Sequence, residues 1–375
     1  MIIAGEASGD MYGAKLVEEA HRLDSSVRFF GIGGQAMRSA GVETLVDSRE
    51  MAVMGFVEVV AHFGVIYRAF RRMEALLQQE KPDLLILIDY PGFNLRLAAV
   101  AKRAGVKVLY FITPQVWAWH ASRARKIARL VDHAAVILPF EVPIFEREGL
   151  PVTFVGHPLL EMAVPSMSRE HAQQQFGLAA GQRTIGLFPG SRRREINSLL
   201  PVMLESAALL KDRFADLQFI LPLAPGLDRK LVDDCLAAAR VEVTVIEGKN
   251  YDVIQVCDLI IAASGTVTME IALFGVPMVI VYKVAPLSYA IGKRLVQVEH
   301  AGICNIIAGE RVVPELIQHE AEPGRIVAEV ESILTDRQRY DDIRKKLLGV
   351  REKLGEPGAP GRVASIAMKI MDGRK

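Results

Sequence analysis

A turn in the second half of the chain carries residue types suited to holding a phosphate group. The sequence ASGT ends an apolar run and places Ser264, Gly265 and Thr266 directly before a helical pattern. Small residues let a phosphate approach the backbone, and a helix N-terminus supplies free N–H groups and a positive dipole end. Glu270, four residues into that helix, is predicted to accept hydrogen bonds from the two hydroxyls of a ribose. The alternative is an ordinary capped turn with a solvated Glu270.

A second turn, in the sequence PGSRRRE, repeats this arrangement. Gly190 and Ser191 form a tight turn, and Arg192 stands before the next helical pattern, where its planar fork suits a phosphate. Three arginines near a helix N-terminus oppose the helix dipole, so a bound anion explains them better than a solvated basic start. Two such turns predict a diphosphate site. The chain contains no D-x-D and this half no P-loop or dinucleotide fingerprint, so no metal or other cofactor is expected.

Acidic residues follow the strand-like runs of the first half. Glu6, Ser8 and Asp10 lie in the sequence GEASGD, where acids repel phosphate but suit sugar hydroxyls or proton transfer. Asp89 ends a wholly apolar run, where a carboxylate is costly unless it is partnered or used. We predict that Asp89 is a general base for transfer of a sugar to a hydroxyl group of an acceptor molecule. Asn94, in the same loop, is predicted to lie on the acceptor side. The alternative for Asp89 is a helix cap.

Aromatic and apolar residues supply two further candidate surfaces. Trp117, in the sequence VWAW, is predicted to line the acceptor side, although packing between domains explains it equally well. Residues 51–77 carry more apolar surface than one helix face needs, which indicates contact with acyl chains or a membrane. A buried helix is the alternative. The predicted contact residues are Val53, Met54, Phe56, Val60, Phe63, Arg68, Arg71 and Arg72.

The elements that must position these residues alternate between short apolar runs and longer amphipathic stretches. This alternation is typical of βαβ units and predicts an α/β fold with two Rossmann-like domains facing across a cleft. Ligands of such sheets lie beyond the carboxyl ends of the strands, where all these motifs fall. The predicted strands are residues 1–4, 84–88, 108–112, 134–138, 184–188, 218–221, 242–246, 259–262 and 278–282.

The domains are predicted at residues 1–160, on the acceptor side, and 161–344, which carries the predicted diphosphate site. A length of 375 residues fits two domains of ~150 residues each. The sequence leaves open whether the final helices, about residues 345–375, pack back on the first domain or on a neighbouring chain. It also leaves room for a homodimer.

Composition narrows the functional class. A formal net charge of +1 argues against wholesale nucleic-acid binding. The three cysteines show no metal-ligand spacing, so neither a metal site nor a disulfide framework is expected, and a reducing cytoplasm is predicted. We see no signal peptide and no apolar run of ~18 residues that would span a membrane.

Several motifs in order, from Gly5 to about Pro323, resemble those of the bacterial lipid-A-disaccharide synthase family. They are GEASGD, AVMGFVEV, ID-x-P-x-FN, P-x-VWAW, FVGHP, PGSR-x-x-E and ASGT-x-x-x-E. The resemblance implies a GT-B fold and an inverting, metal-independent hexosyltransferase. Such enzymes transfer 2,3-diacylglucosamine from its UDP derivative to 2,3-diacylglucosamine 1-phosphate (lipid X). They form a β(1→6) disaccharide and UDP at the cytoplasmic face of the inner membrane, as peripheral proteins.

The resemblance also implies roles for individual residues. Asp89 matches the family's proposed base, Arg192 its essential phosphate-side arginine and Asn305 an asparagine of the nucleotide site. The polar residues of GEASGD match those of the family's first loop. Gly92 stands where many members have an aspartate, so a second acid in that loop is not expected.

Two other classes of function remain open from the residues alone. One is a different enzyme of the same architecture acting on UDP-GlcNAc, such as a 2-epimerase or a peptidoglycan glucosaminyltransferase. The other is a non-catalytic protein that binds nucleotide sugars. Release of UDP from acylated and plain donors would separate these alternatives.

Overall fold

The computed structural model describes residues 1–51, 56–114, 116, 121–224, 226–283 and 300–373, with the backbone alone at 56–63, 121 and 122. The chain forms two compact units. Unit 1 comprises Met1–Pro158 and Leu354–Lys375, and unit 2 comprises Leu159–Lys353.

Unit 1 is built on a parallel sheet. Its strands are β1 (Ile2–Ala4), β2 (Phe30–Gly33), β3 (Glu43–Asp47), β4 (Leu84–Ile88), β5 (Lys107–Phe111), β6 (His133–Val136) and β7 (Val152–Phe154). They pair in the order β3-β2-β1-β4-β5-β6-β7. The chain therefore reverses its direction of winding between β1 and β4, the arrangement that opens a crevice in doubly wound sheets.

Strands β1 and β4, at the centre of this sheet, are buried along their whole length, as their continuous apolar runs predict. The sequence analysis missed β2, β3 and β7. Two of the four residues of β2 are glycines, and every residue of β7 is only half-buried. Such strands lack the apolar signal, and pairing with their neighbours places them in the sheet.

Helices cover unit 1. They are α1 (Ala7–Leu23), α2 (Gln35–Ser39), α3 (Ser48–Met51), α4 (Phe56–Gln79), α5 (Pro91–Arg103), α6 (Ala121–Leu130) and α7 (Val142–Glu146), with a 3₁₀ turn at Pro139–Glu141. The end of α4 contributes Ala69, Met73 and Leu77 to the core at intervals of four residues, which brings them onto one face. None of the described helices has both the length and the apolar character needed to cross a membrane.

Unit 2 repeats the architecture. Its strands are β8 (Arg183–Phe188), β9 (Leu217–Leu223), β10 (Thr244–Glu247), β11 (Leu259–Ala263), β12 (Met278–Tyr282) and β13 (Glu315–Ile317), paired in parallel in the order β10-β9-β8-β11-β12-β13. The short β13 was not predicted. The α/β class predicted from the alternating pattern is confirmed in both units.

The helices of unit 2 connect these strands and close the unit. They are α8 (Leu159–Met162), α9 (Arg169–Gln175), α10 (Arg193–Arg213), α11 (Arg229–Ala237), α12 (Asn250–Val256), α13 (Thr266–Leu273), α14 (Ile303–Ala308), α15 (Pro323–Thr335) and α16 (Arg337–Lys353), with a 3₁₀ turn at Gln318–Glu320. The chain then returns to unit 1, where α17 (Ala359–Asp372) packs against α1. Buried Val363, Ala364 and Ala367 belong to this last helix.

The glycine at position 31 is required by the backbone of β2. Its φ is +147°, and a Cβ there would lie 2.1 Å from the carbonyl oxygen of Ile2 on the neighbouring strand. We expect Gly31→Ala to lower the free energy of unfolding by roughly 3 kcal/mol, because either β1 or β2 must shift. Thermal unfolding followed by circular dichroism measures the effect.

Gly349→Ala is the matched control. Gly349 lies inside α16, and no described atom outside its own stretch of helix lies within 4 Å of the position its Cβ would take. Alanine favours a helix by about 0.5–1 kcal/mol over glycine, so this variant should be as stable as the parent or more so. A Gly31→Ala protein that unfolds at the parent temperature would contradict the steric argument.

Candidate active site

The loops after β1 and β4 meet at the carboxyl edge of the unit 1 sheet. Gly5 lies against the ring of Tyr90, and a Cβ on Gly5 would come within 2.6 Å of that ring. The Tyr90 hydroxyl donates a hydrogen bond to the carbonyl of Met51, 3.0 Å away. Tyr90, which the sequence analysis did not single out, thus joins the first loop, the β4 loop and the end of α3.

Asp89 stands at the end of β4 in an unusual backbone conformation. Its φ is +46° and that of Tyr90 is +48°, both in the left-handed region that favours glycine. Ile112, after the adjacent β5, also has a positive φ, +59°. Such residues cost of order 1–3 kcal/mol each and persist only where their surroundings hold them, commonly at functional sites. Backbone strain therefore concentrates where the sequence predicted the base.

The environment of Asp89 favours proton uptake. The side chain is half-buried, and burial raises the pKa of its carboxyl group above the ordinary value, opposed by a backbone hydrogen bond from Tyr90. A carboxylate that is poorly solvated binds a proton more tightly, which makes it a stronger base than a surface aspartate.

Asn94 supports this turn from within the core. It is fully buried, and its Nδ2 donates to the carbonyl oxygens of Ile88 at 3.2 Å and Asp89 at 2.6 Å. Its Oδ1 is buried without a hydrogen-bond partner in the part of the chain that the structure describes. The amide nitrogen of Asn94 is thus engaged with the backbone of the β4 turn, and the predicted acceptor-side contact stays a prediction.

The polar residues of the first loop differ in their burial. Glu6 and Ser8 are half-buried at the start of α1. Burial raises the pKa of the Tyr90 phenol, and the negative charge of Glu6 raises it further, which puts Glu6 near the β4 loop. The role predicted for Glu6 on the acceptor side stays a prediction.

Asp10, predicted as a sugar contact, is hydrogen-bonded to the backbone at the start of α2. It is buried, and its carboxylate accepts hydrogen bonds from the N–H groups of Gly34 at 2.6 Å, Ala36 at 3.0 Å and Met37 at 3.1 Å. These are the first amides of α2, which a carboxylate caps favourably. These bonds follow from the connection of β2 to α2, which nothing in GEASGD encodes.

The predicted membrane segment is described only in part. Val53, Met54 and Trp117 lie outside the described residues, and Phe56, Val60 and Phe63 are described as backbone within α4. In the second half of α4 the basic side chains are exposed, opposite its buried face. Arg71 pairs with Glu74 at 2.6 Å, and Arg72 donates to the carbonyl of Leu45 at 2.6 Å. Arg68 is exposed beside Tyr67, which is 53% exposed.

In unit 2, the ASGT turn joins β11 to α13. Gly265 is the residue before the helix, and the Ser264 hydroxyl donates to the carbonyl of Ala301 at 2.9 Å instead of capping the helix. Within the described part of the chain, the N–H groups of Thr266 and Val267 meet no acceptor. These N–H groups are therefore available for an anion, and the phosphate site at this turn stays a prediction.

The PGSR turn at the start of α10 is closed by its own carboxylate. Glu195 accepts hydrogen bonds from the N–H groups of Ser191 at 3.0 Å and Arg192 at 3.1 Å, and it pairs with the Arg192 guanidinium at 3.3 Å. Gly190 has a φ of +107°, and a Cβ there would lie 2.2 Å from Oε2 of Glu195. The donors predicted for phosphate at this turn thus hold a side-chain anion. The x-x-E spacing of a capping box gave the signal for this contact, and we missed it.

Glu270 is braced by the loop after β10. Asn250 donates to Oε2 of Glu270 at 2.8 Å. Burial raises the pKa of the Glu270 carboxyl group, while hydrogen bonds from Asn250 and Tyr251 oppose the shift. Tyr251 stacks on Phe274 with ring centroids 6.2 Å apart. Asn250 and Tyr251 were not predicted, since they meet Glu270 only through the pairing of the strands.

Asn305, predicted as a nucleotide contact, lies in a buried hydrogen-bond network. It is fully buried, and its Nδ2 donates to the carbonyl of Val313 at 3.0 Å and to Glu315 at 2.8 Å. Its Oδ1 accepts from the N–H groups of Val312 at 2.9 Å and Val313 at 3.1 Å. These four bonds use the full capacity of an amide side chain, so none remains for a ligand.

Glu315 completes this network. Its buried carboxylate accepts from the N–H groups of Ala301 at 2.9 Å and Gly302 at 2.8 Å as well as from Asn305. Because Ala301 also receives the Ser264 hydroxyl, Asn305 and Glu315 hold the segment against which the ASGT turn rests. Among the described residues, no group of three or more His, Cys, Asp or Glu side chains is placed to hold a metal ion.

The chain is similar in sequence to known proteins over almost its whole length. The family model described as lipid-A-disaccharide synthetase matches residues 1–367. A lipid-A-disaccharide synthase of Geobacter metallireducens is 60% identical over 371 residues, covering 99% of this chain and 97% of the relative. One from Coxiella burnetii is 41% identical, covering 99% and 98%.

Solved structures of low identity share the fold. A UDP-GlcNAc 2-epimerase from Neisseria meningitidis, bound to UDP-GlcNAc, superimposes with a TM-score of 0.63 at 15% identity, covering 98% of both chains. A calicheamicin glycosyltransferase gives a TM-score of 0.60 at 14% identity, covering 100% of this chain and 97% of the other. The predicted GT-B class is confirmed by these similarities.

The four bonds of Asn305 give a testable distinction between scaffold and ligand contact. We expect Asn305→Ala to lower the free energy of unfolding by roughly 2–4 kcal/mol without any nucleotide present, because buried amide groups and Glu315 lose their partner. Differential scanning calorimetry measures this loss. Asn197→Ala, at an exposed position of α10, is the control and should change little. An unchanged transition combined with weaker UDP binding would instead make Asn305 a direct contact.

Proposed function

Since the chain belongs to the lipid-A-disaccharide synthetase family, we propose that it transfers 2,3-diacylglucosamine from its UDP derivative to lipid X. The products are the β(1→6)-linked lipid A disaccharide 1-phosphate and UDP. The observation that carries the proposed mechanism is Asp89, a half-buried carboxylate held in a strained turn at the carboxyl edge of β4. Family membership supplies the substrates, and this geometry supports the role of the base.

The reaction is a single displacement. Asp89 takes the proton from the primary hydroxyl of the acceptor, and the resulting oxygen attacks the anomeric carbon of the donor. The bond from that carbon to the diphosphate breaks as the new bond forms, so the configuration inverts. Positive charge develops on the sugar ring in the transition state, as in other glycosyl transfers.

Unit 2 stabilises the leaving UDP in this proposal. The N–H groups at the start of α13 bind the diphosphate in this proposal. The half-buried Glu270 accepts hydrogen bonds from the ribose hydroxyls. Arg192 is 57% exposed, so its guanidinium is accessible to a phosphate. A diphosphate carries more charge than Glu195 and would compete with that carboxylate for Arg192 and the amides of the PGSR turn. The mechanism requires no metal ion.

A membrane-surface location is supported by α4. Its exposed Arg68 and Arg71 lie beside the exposed Tyr67, and its first half belongs to the apolar segment predicted to meet acyl chains. Basic side chains attract anionic lipid, and a tyrosine suits the interface between water and lipid. We propose that the chain works as a peripheral protein on the cytoplasmic face of the inner membrane.

Replacement of the base tests the mechanism. We expect Asp89→Asn to lower kcat by roughly 10²–10⁴-fold, because the acceptor hydroxyl loses its proton acceptor, while the Kd for UDP stays within about twofold. Release of UDP from acylated donor and acceptor measures kcat, and calorimetric titration measures Kd.

Asp83→Asn is the matched control, since Asp83 is an exposed aspartate just before β4. Near-normal turnover of Asp89→Asn would remove Asp89 as the base. The same release assay tests the substrates, because plain UDP-GlcNAc should not be turned over. Turnover or epimerisation of the plain donor would favour a UDP-GlcNAc enzyme, and binding without release would favour a non-catalytic protein.

Charge reversal on α4 tests the membrane surface. We expect Arg68→Glu with Arg71→Glu to reduce binding to anionic phospholipid vesicles at least tenfold, since each basic residue near such a surface contributes about 1 kcal/mol. Co-sedimentation with vesicles measures the effect. Arg22→Glu with Arg28→Glu makes the same charge change on exposed residues in and after α1 and should leave binding unchanged. An equal loss of vesicle binding in both double variants would show that the attraction depends on the overall charge of the protein and not on α4.

A further inference from the structure

Two side chains converge on the backbone carbonyl that follows the base. The oxygen of the peptide group between Asp89 and Tyr90 accepts from Nδ2 of Asn94 at 2.6 Å and from the hydroxyl of Tyr110 at 2.8 Å. Both residues joined by this peptide have a left-handed φ. The strained turn therefore has two hydrogen bonds to a single carbonyl oxygen. This oxygen would move if the turn relaxed.

The geometry of a peptide rotation explains why these bonds matter. Turning the Asp89–Tyr90 peptide about its flanking bonds would change ψ of Asp89 and φ of Tyr90, and so release the left-handed φ of Tyr90. It would also carry the carbonyl oxygen away from Asn94 and Tyr110. The two donors thus oppose the movement that would relieve the strain at Tyr90. By holding the carbonyl group next to the Asp89 Cα, they also hold the backbone from which the Asp89 side chain extends.

Packing in the core does not by itself explain a tyrosine at position 110. It lies inside β5, opposite Leu87 of β4, and it is fully buried. An apolar residue would fill this core position, whereas a buried tyrosine needs a partner for its hydroxyl. Burial raises the pKa of Tyr110 well above the ordinary value, and the charge of Asp89 raises it further. The hydroxyl therefore stays protonated and remains a donor.

We propose that Tyr110 is a positioning residue for glycosyl transfer, whose hydroxyl holds the Asp89–Tyr90 peptide and thereby aims the Asp89 carboxylate at the acceptor. The proposal rests on the role of Asp89 given above. Tyr110 touches neither substrate nor UDP in this role and acts only through the base. Asn94 provides the second bond to the same oxygen, so loss of Tyr110 weakens the support without removing it.

Tyr110→Phe removes one oxygen and keeps the ring. We expect kcat for acylated substrates to fall about tenfold, with the Kd for UDP within twofold of the parent. Because burial raises the pKa of Asp89, a carboxylate freed to turn toward solvent should titrate lower. The acid limb of the kcat–pH profile should therefore move to lower pH, which a general loss of stability would not produce.

The second unit offers a matched control. The hydroxyl of Tyr340 donates to the backbone carbonyl of Asp258 at 3.0 Å, the same kind of bond away from the base. Tyr340→Phe should leave both kcat and the acid limb unchanged. If Tyr340→Phe lowers kcat as much as Tyr110→Phe does, the effect is not specific to the base and the proposal is overturned.

A double-mutant cycle separates this inference from the proposed function. If Tyr110 acts through Asp89, Tyr110→Phe should cause no further loss in the Asp89→Asn background. An equal loss in both backgrounds overturns the proposal, as does parent-like kcat in Tyr110→Phe when Asp89→Asn is impaired. Parent-like activity of Asp89→Asn itself overturns the base assignment, and the inference with it.

Discussion

The carbonyl oxygen of Asp89 is the fixed point on which the unit 1 site depends. A left-handed turn of two non-glycine residues is unfavourable, and it survives here because Asn94 and Tyr110 donate to that single oxygen from the following helix and the adjacent strand. The same turn places Tyr90 over Gly5 and ties it to Met51. The loops after β1 and β4 and the end of α3 are thus arranged around one constrained peptide.

In unit 2, carboxylate side chains hold the loops of the predicted site. Its two phosphate-type turns are shaped by acidic side chains that accept from backbone amides. Glu195 closes the PGSR turn, and Glu315 holds the segment behind the ASGT turn. Charge-assisted bonds to N–H groups are strong when partly buried, so each carboxylate fixes a loop that would otherwise be free to move. The start of α13 remains open, which makes it the better candidate for receiving the diphosphate.

Burial changes the acidity of the two carboxyl groups to which we assign a function, Asp89 and Glu270. It raises the pKa of Asp89 and of Glu270, but with different consequences. For Asp89 a raised pKa strengthens the base that the proposed displacement needs. Glu270 is partly compensated by Asn250 and Tyr251, which favours the charged form that accepts hydrogen bonds from hydroxyl groups. The difference lies in the donors that surround each group and not in the residue type.

The sequence by itself determined the α/β class, because continuous apolar runs such as Leu84–Ile88 can only be buried strands when amphipathic helices alternate with them. It also predicted a base at Asp89 and a phosphate-binding turn at ASGT, since both follow such runs. Tertiary structure alone decided that Asp10 caps α2, that Asn305 is a scaffold residue and that Tyr110 and Asn250 support functional side chains. These contacts join residues far apart in the chain, and strand order, which local patterns do not encode, brings them within hydrogen-bonding distance.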